Sequence, residues 1–242
     1  MKISDFVFIV FADEPFTSLG VPSVHIPIPA SIATAMSKAA ASGHDVPLDL
    51  PTIADFIAVF CREHPELANR CLPARCCLAF LFGRQSMNTC SHMLNSGRNL
   101  NVPRYIEEYR EHVEHAHEQI LLACELSEQW DEAPLFLKHN CHWYMARIHM
   151  LEHSEDDAIL ELEKVIAICG SSDLVPDVWL ALAGILSSRD NEDRASHLLD
   201  DYVLRTNKLF PEKSREFIEH GKSGMFSKQY PFIQRYFERI QK

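Results

Sequence analysis

The sequence has little glycine: 8 of its 242 residues, where average usage would give about 17. Since glycine supplies many of the tight turns between short strands, its scarcity counts against a many-stranded β protein. The composition is otherwise that of an ordinary globular chain, with 47% hydrophobic and 24% charged residues. These values exclude wholesale disorder and predict a core of useful size.

The sequence also lacks a long apolar run. A membrane-spanning helix needs about 20 predominantly apolar residues, and no stretch reaches that length. The apolar run from Phe6 to Ala12 follows a single Lys2 and is closed by Asp13, so we do not expect a secretory signal. The eight cysteines include no Cys-x-x-Cys pair, and reduced thiols in a cytoplasmic protein are the simplest interpretation.

Familiar catalytic motifs are missing. Gly221-Lys222-Ser223 is similar to the end of a phosphate-binding loop, but Glu216 stands where that loop requires glycine. The same residues fail the spacing of a nucleophile elbow, and no Gly-x-Gly-x-x-Gly occurs. We therefore predict a non-enzymatic protein that needs no cofactor.

Charge is distributed unevenly along the chain. The net charge is −11, but residues 101–204 carry 7 basic and 22 acidic side chains, whereas residues 205–242 carry 9 basic and 4 acidic ones. An acidic block of this kind repels phosphate backbones and disfavours nucleic-acid binding. It favours a basic protein or peptide partner, although a solvated set of helix faces is the simpler alternative.

The pattern along the chain predicts three regions. Residues 1–50 form an irregular, proline-rich leader packed on the body, within which Phe6–Phe11 is either a short strand or the start of a helix, and residues 24–29 are extended. Residues 51–102 hold short helices and a loop. Residues 103–242 form a helical-repeat body with C-terminal capping helices.

Helix boundaries follow from proline and glycine. Proline in the first turn predicts four helices: residues 104–129 after Pro103, Asp173–Ser188 with Pro176, a helix from Pro211, and residues 229–241 with Pro231. A helix is expected over residues 74–82, and the polar residues 83–101 are expected to form a loop, or a weak helix around Thr89–Leu94 followed by a loop. The helix from Pro211 is expected to stop at Gly221.

An internal repeat is visible when residues 142–170 are aligned with residues 179–207. The most informative pairs are small residues, which let a neighbouring helix approach closely. The aligned pairs are His142 with Trp179, Met145 with Leu182, Ala146 with Ala183, His149 with Leu186, Ala158 with Ala195, Leu162 with Leu199, and Val165 with Tyr202.

This pattern, over about residues 139–207, resembles the tetratricopeptide repeat. The second unit fits it through Trp179, Leu182, Ala183, Ala195 and Leu199. The first unit departs from it at His142 and His149, neither unit has the closing proline, and Ala158 and Ala195 are 37 residues apart rather than the 34 of the family. The resemblance implies an all-α fold of antiparallel helical hairpins stacked as a solenoid.

The resemblance also implies a binding module whose groove receives a peptide or a partner helix. We expect partner-binding residues at His142, Tyr144, Met145, His149 and Trp179. The oligomeric state is not fixed by these patterns.

The tail carries a second candidate surface. Ile233, Tyr236, Phe237 and Ile240 form an apolar stripe on one helix face, flanked by Arg235 and Arg239. Such a stripe caps the last repeat or docks to a partner or an anionic membrane. We include Ile233, Tyr236 and Phe237 among the predicted partner-binding residues.

The alternative function is a metal-dependent helical-bundle enzyme or a metal sensor. His149 and His153 have the i, i+4 spacing that lets two imidazoles share a metal ion, and Glu114-x-x-His117 is one half of a di-iron motif. Cys61-x-x-His64, Cys71, Cys76, Cys77, Cys90 and His92 are the other candidate ligands. Uneven spacing and the missing second motif favour polar helix faces and buried thiols, so we predict no metal site.

Overall fold

The computed structural model describes residues 3–44, 48–96, 102–169, 175–209 and 211–240. Within these ranges nearly every element is a helix, which confirms the all-α class, with one two-stranded sheet. The chain divides into two compact units, the N-terminal unit Met1–Cys141 and the C-terminal unit His142–Lys242. The predicted division into residues 1–50, 51–102 and 103–242 stays a prediction. None of the described helices is both long and apolar enough to cross a membrane.

The N-terminal unit begins with a hairpin and continues as helices. Its elements are β1 (Phe6–Phe11), α1 (Glu14–Thr17), β2 (Val24–Pro29), α2 (Ala30–Ala41), α3 (Leu50–Glu63), α4 (Leu72–Asn95), α5 (Pro103–Gln129) and the start of α6 (Leu135–Leu151), with 3₁₀ turns at Ile3–Asp5 and Pro65–Cys71.

The segment Phe6–Phe11, for which the sequence allowed a short strand or the start of a helix, is a strand. β1 pairs antiparallel with β2, with Phe6 opposite Pro29 and Phe11 opposite Val24. Phe6 and Phe8 point to one face of the sheet and contact Phe60 of α3 edge-on, with ring centroids 5.1 and 5.2 Å apart. The region expected to be irregular is thus anchored to α3 by an aromatic cluster.

Two helices run further than predicted. The expected helix over residues 74–82 is wrong in extent: α4 continues through Gly83 to Asn95, and residues 97–101 of the expected loop lie outside the described residues. A Cβ at Gly83 would lie 2.6 Å from the Ile120 side chain of α5, so this glycine allows two helices to pack closely. The helix from Pro211 likewise continues past Gly221 to Ser223.

The C-terminal unit is built from the rest of α6 and six further helices. These are α7 (Glu155–Cys169), α8 (Pro176–Ser188), α9 (Glu192–Leu209), α10 (Pro211–Ser223), α11 (Met225–Gln229) and α12 (Pro231–Arg239). α8 lies at the centre of the unit, since it packs against α7, α9, α11 and α12, and every residue from Val178 to Leu186 is buried. The small residues of the repeat, Ala146, Ala158, Ala183 and Ala195, are all fully buried in this core.

Candidate partner-binding site

The predicted site residues on α6 have different environments. His142 and Met145 are buried, with 6% and 3% of their surface exposed, whereas Tyr144 and His149 are half-buried. The Arg147 guanidinium lies 5.0 Å from the centre of the Tyr144 ring. His149 Nδ1 lies 3.5 Å from a carboxylate oxygen of Glu152. Of this predicted set, Tyr144 and His149 are the two that a partner could reach.

His142, the first departure from the repeat pattern, has a polar partner inside the unit. Its Nδ1 donates a hydrogen bond of 2.6 Å to Oε2 of Glu161 on α7, and Lys164 Nζ donates one of 2.7 Å to Oε1 of the same carboxylate. Burial opposes ionisation of Glu161, but the hydrogen bonds from His142 and Lys164 outweigh it and lower the pKa of the carboxyl. His142 thus links α6 to α7 through a buried carboxylate.

The Glu161 contact makes stability depend on pH. A carboxylate whose pKa is lowered by folding stabilises the native state above its unfolded pKa of about 4.3, and that stabilisation is lost as the pH falls through the lower folded value. We expect Glu161→Gln to lower the free energy of unfolding by about 1.5–3 kcal/mol at pH 7, because hydrogen bonds to a charged group contribute about that much. The difference from the wild type should shrink below about pH 4, as measured by urea denaturation across a pH series.

A matched control for this substitution is Glu163→Gln on the same helix. Glu163 is half-exposed and pairs with Arg194 at the surface, so its loss should change stability by less than about 1 kcal/mol. A gap between Glu161→Gln and wild type that stays constant down to pH 3 would contradict the proposed role of the ionised carboxylate.

Trp179 lies in a row of buried aromatic rings, not at a surface. Its ring centroid is 5.2 Å from that of Tyr202, which is 4.0 Å from Phe217, which in turn is 5.2 Å from Phe237. Burial raises the pKa of Tyr202 to about 12. Trp179 has 3% of its surface exposed and packs between α8, α9 and the C-terminal helices. Its assignment to partner binding stays a prediction.

The face of α8 that a repeat groove would expose is covered by the chain's own C-terminal segment. A Cβ at Gly184 would lie 2.3 Å from Cδ2 of the Tyr230 ring, so only glycine leaves room for that ring on α8. Likewise, a Cβ at Gly221 of α10 would lie 2.2 Å from Cε2 of the Phe237 ring. The two glycines therefore form notches that receive aromatic rings from the segment around α12.

The apolar stripe of the tail helix is part of the same core. Ile233, Tyr236 and Phe237 have 0%, 2% and 0% of their surface exposed, and the Tyr236 hydroxyl donates a hydrogen bond of 2.6 Å to Asp200 of α9. Burial and this hydrogen bond to a carboxylate raise the pKa of Tyr236. These three residues are packed into the core of the unit, whereas Ile240 is the exposed member of the stripe. Their place in the partner-binding set stays a prediction.

Ion pairs between surface side chains join several helices of the C-terminal unit. Asp156 of α7 pairs with Arg189 at the end of α8, Glu163 of α7 with Arg194 of α9, and Glu192 of α9 with Arg235 of α12 at 2.8 Å. The last pair brings the basic tail onto the acidic block. Part of the uneven charge along the chain is therefore neutralised within the unit itself.

The histidine and cysteine candidates lie mostly within helices, but His153 lies in the turn after α6 and Cys71 in the 3₁₀ turn Pro65–Cys71. His115 Nδ1 lies 2.8 Å from Ser86 Oγ and links α5 to α4 beside a pocket that His112 and Glu111 also line. The cysteines are buried thiols except Cys61, which is half-buried. Within the part of the chain that the structure describes, no group of three or more histidine, cysteine, aspartate or glutamate side chains is placed to hold a metal ion.

One feature that the sequence reasoning missed is an apolar groove of about 680 Å³ in the N-terminal unit. Val7, Ile9 and Phe11 from the outer face of β1 form one wall, and Ala33 and Met36 of α2 form the other. Successive side chains of a strand point to opposite faces of the sheet, so Phe6–Phe11 as a strand places Val7, Ile9 and Phe11 on one face. The sequence left open whether this segment is a strand or a helix, and it therefore did not predict the groove. The groove gives this unit a concave apolar surface.

Comparisons with known proteins do not assign the chain to a family. No known family model matches the chain, and no curated protein sequence matches it.

Proposed function

We propose that the chain is a non-enzymatic protein-interaction module, whose C-terminal unit is a tetratricopeptide-like stack of hairpins that receives a basic peptide or partner helix. The observation that carries the proposal is the burial of the aligned small residues. Ala146 and Ala158 in one hairpin, and Ala183 and Ala195 in the next, all have 0% exposure. Repeats of this kind bury a continuous core between neighbours and use the remaining face for binding.

The order of the ion pairs supports a stacked arrangement. They connect α7 to α9, and α9 to α12, in the sequence in which the hairpins follow one another. Each exposed pair contributes only about 0–1 kcal/mol to the free energy of unfolding. The pairs therefore matter here because they identify which helices are neighbours.

The binding surface that we propose differs from the predicted groove because α8 is covered. It combines Tyr144 and His149 of α6 with an acidic rim, which we define as the exposed residues Glu155, Asp157, Asp190 and Asp193. The contact of Asp156 with Arg189 brings the start of α7 next to the turn that precedes α9, which places these four residues at one end of the hairpins. Concentrated negative charge at a rim speeds the association of a basic partner.

A charge-reversal experiment tests the rim. We expect Glu155→Lys combined with Asp157→Lys to reduce capture of a partner from source-cell lysate by about tenfold, a loss of about 1.4 kcal/mol in binding. Quantitative mass spectrometry at low and high salt measures the loss. Binding to the wild type should weaken as salt is raised, since exposed charges are screened.

The control variant is Glu125→Lys combined with Glu128→Lys, two exposed positions on α5 that make the same change in net charge. It should capture the partner as the wild type does. Equal losses in both variants, or capture that salt leaves unchanged, would contradict an acidic binding rim. The metal-dependent alternative stays a prediction, and metal analysis of untagged protein tests it.

A further inference from the structure

The cysteines of the N-terminal unit meet at two places. Cys61 and Cys71 lie within hydrogen-bonding reach of each other, and so do Cys141, Cys124 and Cys76. The two places differ in access. Cys76, Cys124 and Cys141 have 0%, 7% and 0% of their surface exposed, whereas Cys61 is half-buried and reaches solvent.

A fixed reversal of the chain brings the first pair together. Cys61 lies in the last turn of α3, and that helix ends where the backbone N–H of His64 donates to the carbonyl of Phe60 at 2.8 Å. The 3₁₀ turn Pro65–Cys71 then leads the chain back, so that its last residue faces the end of α3. Phe60 and Cys71 are both fully buried, which holds the two sides of this reversal in place.

The two thiols have different environments. Burial raises the pKa of Cys71 to about 12, although the positive charges of Arg70 and Arg75 act in the opposite direction. Cys71 is therefore a protected thiol that small oxidants do not reach first. Reactive cysteines are partly exposed, and Cys61 is the more exposed thiol of this pair.

We propose that Cys61 and Cys71 form a reversible disulfide when the protein meets hydrogen peroxide, at a site separate from the partner-binding surface. The Cys61 thiol attacks the peroxide, which breaks the O–O bond and leaves a sulfenic acid on Cys61 and one water. The sulfur of Cys71 then attacks the sulfenic sulfur, the S–O bond breaks, and the Cys71 proton leaves with the hydroxide as a second water. Two thiols are oxidised by two electrons, one peroxide is reduced to two waters, and a dithiol reductant reverses the change.

The experiment uses the full chain, reduced and then freed of reductant. It is treated with one equivalent of hydrogen peroxide, unfolded in N-ethylmaleimide, and digested with trypsin without reduction. Cleavage after Arg62, Arg70 and Arg75 places Cys61 and Cys71 on separate peptides that hold no other cysteine. We expect these two peptides to be linked, with a mass lower by two hydrogens, and six of the eight cysteines to be alkylated; dithiothreitol should restore all eight.

The buried cluster is an internal control, because its thiols also lie within hydrogen-bonding reach of one another but are shielded from solvent. Cys76, Cys124 and Cys141 should remain fully alkylated at this dose. With Cys71→Ser, the sulfenic acid on Cys61 should persist and be trapped by dimedone, whereas Cys61→Ser should lose no thiol and Cys90→Ser should behave as the wild type. A wild-type digest in which Cys61 is converted to sulfinic acid, the buried cluster oxidises first, or the link joins two chains would overturn the proposal.

Discussion

Replacing Phe237 with alanine is expected to lower the free energy of unfolding of the C-terminal unit by about 3–5 kcal/mol. The side chain is fully buried, contacts the Phe217 ring, and fills the notch at Gly221, so its removal leaves a cavity at the junction of α10 and α12. Urea denaturation followed by circular dichroism measures the loss. Hydrogen exchange by mass spectrometry should place it in residues 142–242.

The control is Ile240→Ala, at the next position of the same apolar stripe. Ile240 has 39% of its surface exposed, and a surface substitution of this kind usually changes stability by less than about 0.5 kcal/mol. The two variants together distinguish a tail helix that caps the unit from one that is free to dock to a partner or a membrane. If Phe237→Ala leaves stability unchanged, the helix does not cap the unit.

The largest effect in the N-terminal unit is expected for Phe60→Ala, again about 3–5 kcal/mol. Phe60 is fully buried and its ring contacts Phe6 and Phe8 of β1 and His64 at the end of α3, with centroids 5.1–5.2 Å apart. The substitution therefore removes the anchor of the sheet as well as the end of the helix. We expect faster hydrogen exchange in β1 and β2 and a lower urea midpoint.

Phe136→Ala is the matched control, since it makes the same chemical change at a position with 45% of its surface exposed. It should cost less than about 0.5 kcal/mol. Similar losses at Phe60 and Phe136 would show that burial in the aromatic cluster does not set the stability of this unit.

Local backbone chemistry made the helix starts predictable from the sequence. Pro103, Pro176, Pro211 and Pro231 each occupy the first position of a helix, as expected for a residue whose missing N–H has no partner there in any case. The extended geometry of residues 24–29 is also confirmed, and it too follows from proline. These signals act within a few residues, which is why no knowledge of packing was required.

The wrong helix ends share one cause. The sequence predicts a helix end at Gly221 and a loop at Gly83, but both glycines lie inside helices and accommodate side chains of other helices, Phe237 and Ile120. A glycine that ends a helix and a glycine that admits a neighbouring helix look alike in the sequence. Only the position of the packing partner distinguishes them.

The predicted site suffered from the same lack of long-range information. Helical periodicity assigned Trp179 correctly to a helix face, but Tyr202 and Tyr230, which cover that helix, follow Trp179 in the sequence by 23 and 51 positions. The pairing of His142 with Glu161 was similarly invisible, because either residue alone is typical of a solvated helix face. Six of the eight predicted partner-binding residues are therefore buried, and the other two, Tyr144 and His149, are half-buried.

The strand β1 has a consequence for how the protein behaves after unfolding. Its six residues, Phe-Val-Phe-Ile-Val-Phe, contain no charge and no proline, and in the described part of the chain only β2 pairs with it. Natural edge strands usually carry a lysine, a proline or a bulge that blocks pairing with other molecules. When heat or denaturant detaches this segment from Phe60, copies of it can stack into cross-β assemblies, whose growth rises steeply with the number of molecules present. The fraction of protein that returns to the native state after unfolding should therefore be higher when the protein is refolded at lower concentration.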